Sequence, residues 1–356
     1  MTQKEISKIL DISVSTVSSA LRNSPLVKKE TRERVIRLAQ IVKYKPNMNA
    51  RSLVTGKTYS VGIISRALSE PFYAELFEEI HHCLDRSEYV GLFSPAEDAT
   101  GYRNAIEILG ARGVDGIISG EVNAEELLML EETDVPVVVY GNRDISMDCV
   151  FVDTYKSGYL ATHHLIRLGH KKIGYIGWLS DYEPRFIGYR DALYQNNLLV
   201  KREWVIPGKG VDKKSGYQSM KQMLSLSEIP TAIFTHNDMV AIGAMRALSE
   251  ARMNVPEGMA VVGCDNVKEC EYLSVTLTTV EQSRREIARN LVSTLLARID
   301  SKAGEQPQKI VIEPRLIIRE SCGFYLKKSP VPEPSVSETG LRYDESSKLL
   351  EAKDDA

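Results

Sequence analysis

The chain has 356 residues, 43% hydrophobic and 26% charged, with a formal net charge of -3. At roughly 150 residues per domain this length implies two or three globular units and excludes a small disulfide-stapled scaffold. No apolar run approaches the roughly 18 residues of a membrane span, and the opening MTQKEISKIL shows no secretory pattern, so a cytoplasmic protein without a membrane partner is expected.

The charge is unevenly placed. Residues 1–58 hold twelve Lys/Arg against four acids, a surplus of +8 that leaves -11 for the remainder. A basic head on an acidic body suits a polyanion-binding module joined to a module of another kind, and points to nucleic acid. The five cysteines (Cys83, Cys149, Cys264, Cys270, Cys322) are scattered without a C-x-x-C, and the pairs His81-His82 and His163-His164 are adjacent rather than four apart. Neither disulfides nor a metal site is expected, and no cofactor.

In the head, Ile6, Ile9 and Leu10 repeat at helical spacing, Asp11-Ile12-Ser13 interrupts, and Val14, Val17 and Leu21 resume the repeat. Two short helices joined by a tight turn are predicted, with Ser13 capping the second and Ser15, Thr16, Ser18 and Ser19 on its polar side. A third helix opens near Lys28-Lys29-Glu30-Thr31 and carries Val35, Leu38, Ala39 and Val42, closing a small all-α helix-turn-helix core. Helix two would enter the major groove, with Val14, Ser15 and Ser19 toward base edges and hydroxyls and amides near its start on phosphates. The alternative is a three-helix protein-interaction head on a cytoplasmic sugar-binding protein with no operator.

From Ser60 onward β-branched runs alternate with amphipathic stretches. Strands are predicted at 61–64, 90–93, 116–119, 135–140 and 151–152, with helices near 74–86, 102–112 and 124–131 between them. A second series has strands at 173–176, 232–235, 260–263 and 278–280 and helices near 155–168, 187–195, 215–224, 239–251 and 283–299. The fold class is α/β, two doubly wound parallel-sheet lobes after the helical head, with a ligand expected in the cleft beyond the strands' carboxyl ends. No G-x-G-x-x-G follows any of these strands and no G-x-S-x-G occurs, so no catalytic residue is assigned and an enzyme is not expected.

Three stretches, S-V-S-T-V-S, Thr31-Arg32-Glu33-Arg34-Val35 and Tyr44-Lys45-Pro46-Asn47-Met48-Asn49-Ala50-Arg51-Ser52-Leu53 followed by Thr55-Gly56-Lys57-Thr58, closely resemble the LacI/GalR family of bacterial transcription repressors. The likeness covers about residues 2–324, through landmarks such as Phe72-Tyr73-Ala74-Glu75-Leu76, Leu168-Gly169-His170-Lys171-Lys172-Ile173, Asn237-Asp238 and Leu277-Thr278-Thr279-Val280. It implies a DNA-binding domain over 1–46, a hinge helix and linker over 47–59, and a sensor of periplasmic-binding-protein type over 60–325. Lobe one would comprise about 60–154 with 284–311, and lobe two about 155–283 with 312–325. Residues 326–356, rich in Pro, Ser and acids, read as a disordered tail.

The resemblance further implies DNA contacts by Ser13, Val14, Ser15, Thr16, Ser18, Ser19, Arg22, Tyr44, Asn47, Ala50, Arg51 and Leu53. Leu53 matches the leucine that pries open a central base step from the minor groove when two subunits dock on operator DNA. Effector contacts are implied for Phe72, Tyr73, Arg185 ahead of the helix containing Gly188, Asn237, Asp265 and Gln282. The partners so implied are double-stranded operator DNA, a small-molecule effector and a second copy of the chain. No heptad array follows the body, so a homodimer is expected rather than a tetramer. Val211 stands where several members have an aromatic over the ligand ring, Asp265-Asn266 where many have two acids, and Ser19 where the family often has Arg. The family includes sugar, nucleobase and phosphoprotein responders; a sugar or sugar derivative is the expected effector.

Overall fold

The computed structural model describes residues 2–21, 23–44, 48–66, 70–141, 143–179, 183–208 and 210–326, without the side chains of residues 48–50 and 54. The expectations for Arg22, Asn47, the Ala50 side chain and the tail beyond 326 therefore fall outside the described residues.

The head is three helices. Thr2 and Glu5 cap α1 (Gln3–Leu10) reciprocally, satisfying amides the helix leaves free, and Asp11 ends it in the left-handed conformation. The Ser13 hydroxyl accepts from the Thr16 amide at 3.0 Å, so α2 (Val14–Leu21) starts at the cap the sequence predicts. With α3 (Lys29–Ile41) these helices bury Ile6, Val17, Ala20, Val27, Val35 and Ala39. The Arg32 guanidinium donates to the carbonyls of Ser24 and Val27, at 2.7 and 3.0 Å, and fixes the turn before α3. Ile9 departs from the expected repeat: it lies at the edge of the apolar stripe of α1 and is exposed. The short α4 (Met48–Thr55) follows and ends at Gly56, whose positive φ suits a residue without Cβ.

The first lobe is built from β1 (Ser60–Ser65), α5 (Pro71–Asp85), β2 (Val90–Pro95), α6 (Ala99–Ala111), β3 (Gly116–Ser119), α7 (Ala124–Glu131), β4 (Val137–Tyr140) and β5 (Asp148–Val152). The second holds α8 (Thr154–Arg167), β6 (Ile173–Gly177), α9 (Pro184–Gln195), β7 (Val205–Pro207), α10 (Lys213–Leu224), β8 (Ala232–Thr235), α11 (Asp238–Glu250), β9 (Ala260–Asp265) and β10 (Thr278–Glu281). The chain then returns through α12 (Arg284–Ile299) and β11 (Lys309–Ile312) to the first sheet, and ends the described fold with β12 (Arg315–Ile317) in the second.

Each sheet has six strands, ordered β11-β5-β4-β3-β1-β2 and β12-β10-β9-β8-β6-β7. All pairs are parallel except β12 with β10, so the expected doubly wound lobes are present and the second gains an antiparallel edge. Strands β7, β11 and β12 went unpredicted because they are short and lie at sheet edges, where alternation is weak. Several helices begin before the predicted start; α5 and α9 open on Pro71 and Pro184, residues suited to a first turn.

Three crossings join the sheets, after β5, after β10 and after β11. The interiors are apolar: Val61, Ile63, Val138 and Val150 in the first sheet, Ile173, Phe234 and Val262 in the second. Helices α8 and α9 approach so closely that a Cβ on Gly188 would lie 2.0 Å from the Tyr155 carbonyl oxygen, and one on Gly158 2.0 Å from that of Arg185. This contact fixes the first turn of α9, and with it Arg185, against the lobe.

Candidate functional site

On α2, Val17 and Ala20 face the core, while Val14 and Ser15 are exposed and Thr16, Ser18 and Ser19 half-buried. One contiguous face thus presents small hydroxyl side chains, which allow a helix to approach base edges closely. Hydroxyls of Ser15 and Thr16 converge on that of Ser13 at 2.8 and 2.7 Å, gathering donors at the helix start where phosphates are met. Tyr44 instead packs its ring partly into the three-helix core, and its amide bonds the Ala39 carbonyl at 2.8 Å.

Two residues of α4 behave differently. Leu53 is 89% exposed, an apolar side chain held in solvent on an eight-residue helix. Arg51 is engaged within the chain: its guanidinium lies 3.8 Å over the Tyr59 ring and donates to Glu88 at 3.0 Å, docking the hinge on lobe one. The Asp115 carboxylate clasps the connection below, one oxygen accepting from the Thr58 amide and the other from that of Tyr59, both at 2.8 Å. Tyr59 takes a positive φ there, and Lys57 pairs with Asp300. The segment after α4 is therefore fixed to the sensor, and α4 is tied to it through Arg51 while Leu53 stays in solvent.

The second candidate site lies between the lobes. From lobe one come Phe72 and Tyr73, at the start of α5, and Tyr140, at the end of β4. The Tyr73 ring stands edge-on to those of Phe72 and Tyr140, with centroids 5.3 and 6.4 Å away. Burial, then the charges of Glu121, Glu70 and Asp265, pushes the Tyr73 hydroxyl up, and Arg185 opposes them. Glu121 and Glu70 belong to lobe one and Asp265 and Arg185 to lobe two, so Tyr73 sits where the lobes face each other.

From lobe two come Arg185, in the first turn of α9 rather than ahead of it as the sequence suggested, and Asp265, at the end of β9. Arg185 lies 3.8 Å from Glu183. Burial works against its charge, but Cys264, Asp265 and Glu183 together more than offset that, so the cation persists. Burial and the nearby Asp238 raise Asp265, whose backbone adopts a left-handed φ of 118°. Gln282 donates to Asp265.

Arg185, Asp265, Gln282 and Tyr73 are thus brought together, while Phe72 is buried behind Tyr73. Asn237 has other work. Its side-chain oxygen accepts from the Val240 amide and caps α11, and its amide donates to the Val211 carbonyl, both at 2.9 Å. The sequence reading missed Tyr140, Trp178 and His236, at or just past strand ends, and Tyr175 in the middle of β6. Position at the end of a predicted strand was the signal that could have found the first three.

A latch spans the lobes beside this cleft. Arg284, first residue of α12, donates to the carbonyls of Asp265 and Asn266 at 2.6 and 2.8 Å and pairs with Glu75 of α5 at 3.2 Å. Glu75 also accepts from the Lys268 amide at 3.1 Å. Among the described residues no cluster of His, Cys, Asp and Glu could hold a metal ion, and no helix is long and apolar enough to cross a membrane.

A helical head with a hydroxyl-rich exposed helix, hinged to a two-lobed sensor, defines a DNA-binding transcription regulator under effector control. Residues 2–47 match the model of bacterial regulatory proteins of the lacI family, and residues 162–322 that of a periplasmic binding protein-like domain. The chain is 33% identical over 329 residues to the HTH-type transcriptional repressor PurR of Actinobacillus pleuropneumoniae serotype 3 (strain JL03), covering 90% of this chain and 98% of the relative. The likeness to PurR of Haemophilus influenzae (strain PittEE) is 33% over 330 residues, with the same coverage.

Among solved structures it resembles a transcriptional regulator CelR–cellobiose complex (26% identity, TM-score 0.68, 90% of this chain and 99% of that one). It also resembles a LacI family regulator from Enterococcus faecium with bound ribose (27%, 0.66, 74% and 98%). The Lac repressor dimer bound to operator and the anti-inducer ONPF shares the fold at 24% identity (0.76, 90% and 99%). The chain belongs to the LacI family: it is a sequence-specific DNA-binding transcriptional regulator, not an enzyme.

Proposed function

We propose that the chain works in the cytoplasm as a homodimeric repressor. Its units are a head over 1–46, a hinge over 47–59 and a sensor over 60–325, with a sugar or sugar derivative as effector. Two α2 helices reach successive major-groove faces about 34 Å apart on a near-palindromic operator, and paired α4 helices insert Leu53 at its centre. Bases are read by Val14, Ser15 and Ser19, while Ser13, Thr16, Ser18, Arg22, Tyr44, Asn47, Ala50 and Arg51 serve the backbone and the hinge. The observation that carries this reading is the contrast between an anchored linker and an undocked apolar residue on α4.

The effector lies between the lobes, against Tyr73, Arg185, Asp265 and Gln282, with Phe72 and Asn237 holding the walls in place. The cleft's chemistry supports a neutral polyhydroxylated ligand, since the Arg185 cation already pairs with Glu183; two similar regulators of known structure, one in complex with cellobiose and one with bound ribose, favour the same class. Ligand binding shifts the Glu75–Arg284 latch and the three crossings, which alters how the lobe-one ends meet their partners and so whether α4 orders on DNA. Such coupling is typically about 1–3 kcal/mol and is reciprocal.

The test is selection of bound sequences from random duplex DNA by the full chain, repeated with sugars, sugar phosphates and purines. An enriched near-palindrome whose yield changes with one sugar supports the reading. No enrichment under any ligand refutes the repressor role, and a response to a purine alone refutes the sugar.

A further inference from the structure

Three polar atoms at the top of lobe two are buried and find no hydrogen-bond partner among the described residues: the Tyr175 hydroxyl, Nδ1 of His236 and Nε of Arg185. Leaving such atoms unpaired is costly, and these three gather at one place in the lobe, whereas the Arg32 Nε, Thr162 hydroxyl and His163 Nδ1 are unpaired elsewhere. They come from adjacent strands, Tyr175 from the middle of β6, His236 from just past β8 and Arg185 from beside Cys264 of β9. Gly177 makes the juxtaposition possible, since a Cβ there would lie 2.6 Å from both the Tyr175 hydroxyl and the His236 Cβ. Trp178 lies against His236 with ring centroids 4.8 Å apart and remains 49% exposed.

We propose that Tyr175, His236 and the Nε of Arg185 form a recess for one hydroxyl of the effector, with Trp178 covering the apolar face of the ring that carries it. This rests on the reading of the interlobe cleft as the effector site. A hydroxyl both donates and accepts, so it can take the Arg185 N–H and bond the Tyr175 hydroxyl and His236 Nδ1 in either tautomer of the ring. Burial, reinforced by Arg185, keeps the imidazole neutral, which suits an uncharged guest. A phosphate or carboxylate would be a second anion on a guanidinium that already pairs with Glu183. The recess therefore selects by hydroxyl position and against phosphorylated sugars.

The experiment uses the full chain, titrated with D-ribose, D-glucose, D-galactose, cellobiose and glucose 6-phosphate, then with deoxy analogues of whichever sugar binds. Calorimetry and the shift of thermal unfolding are the readouts. In wild type one deoxy position should weaken binding about tenfold or more, and glucose 6-phosphate should not bind. Tyr175→Phe should bind the parent sugar about tenfold more weakly and lose the discrimination against that deoxy analogue, while its ligand-free form melts no lower than wild type because an unpaired buried hydroxyl is gone. His236→Asn and Trp178→Ala should weaken the same sugar, as variants independent of Tyr175. Binding of one sugar with discrimination unchanged in Tyr175→Phe and His236→Asn would overturn the recess alone. Failure of every neutral sugar, with a selected operator still bound, would overturn the sugar-effector reading and the recess with it.

Discussion

Truncating Leu53 separates its two possible roles. In the free chain the side chain is 89% exposed on α4, so Leu53→Ala removes almost no buried surface and should change sensor stability by no more than about 0.5 kcal/mol. On an operator, two copies would be buried between base pairs. Losing three carbons from each at about 0.8 kcal/mol per buried group amounts to about 5 kcal/mol for the dimer, or roughly 10³-fold in affinity. Part of that is returned because the variant no longer unstacks a base step, so a loss between about tenfold and 10³-fold is expected. Fluorescence anisotropy with the selected operator measures it, and the salt slope should stay unchanged because the phosphate contacts are untouched. Wild-type operator affinity in a folded Leu53→Ala protein refutes the minor-groove role.

Asp265 titrates toward about 8 in the folded chain, against 3.8 for the free side chain, with burial as the main cause and Asp238 second. The folded state then holds a proton that the unfolded state has released, so stability falls as pH rises through this range, by up to about 1.4 kcal/mol per unit. Buried His164, depressed to about 4, and His236 act in the opposite sense, but only below 6.5. Urea unfolding should therefore show stability declining between pH 6.5 and 8, and Asp265→Asn should flatten the decline; a flat wild-type profile refutes the assignment. Asp115→Ala leaves the Thr58 and Tyr59 amides without their acceptor and should cost about 1–3 kcal/mol and speed proteolysis near residues 55–60, while equal cleavage rates would show that the clasp does not hold the hinge. Gly188→Ala drives a Cβ into the Tyr155 carbonyl and should destabilise lobe two severely, whereas Gly110→Ala, with nothing within 4 Å of the new Cβ on α6, should raise the melting temperature slightly.

How much of this was legible in the sequence depended on whether the signal was local. The head was readable almost residue by residue because capping and 3.6-residue periodicity are local: Ser13 caps α2, and Val17, Val35 and Ala39 point inward. Ile9 misled because helical spacing fixes a face only to within about a hundred degrees, and its position on α1 falls at the edge of the apolar stripe. In the body, central strands declared themselves as β-branched runs, since a parallel strand covered on both faces must be apolar throughout. Edge strands β7, β11 and β12 are only three or four residues long, too short for such a run to stand out from a loop.

The cleft divides along the same line. Arg185 and Asp265 came from matching a family pattern, and the structure brings them together with Gln282. Asn237 matched the pattern as well, yet its hydrogen bonds are taken by a helix cap and the Val211 carbonyl, a role set by tertiary position. Tyr175 and His236 are separated by sixty residues of sequence and meet only because β6 and β8 are neighbours in the second sheet. Each looks like an ordinary core residue, Tyr175 within its strand and His236 just past its own. What distinguishes them is a pair of polar atoms left unpaired in the interior, and an unmet hydrogen bond is a property of the folded neighbourhood that no stretch of sequence contains. A site can therefore be sought where a folded chain leaves hydrogen-bonding capacity unused beside a cleft, which is the observation that separates these two residues from the aliphatic strands around them.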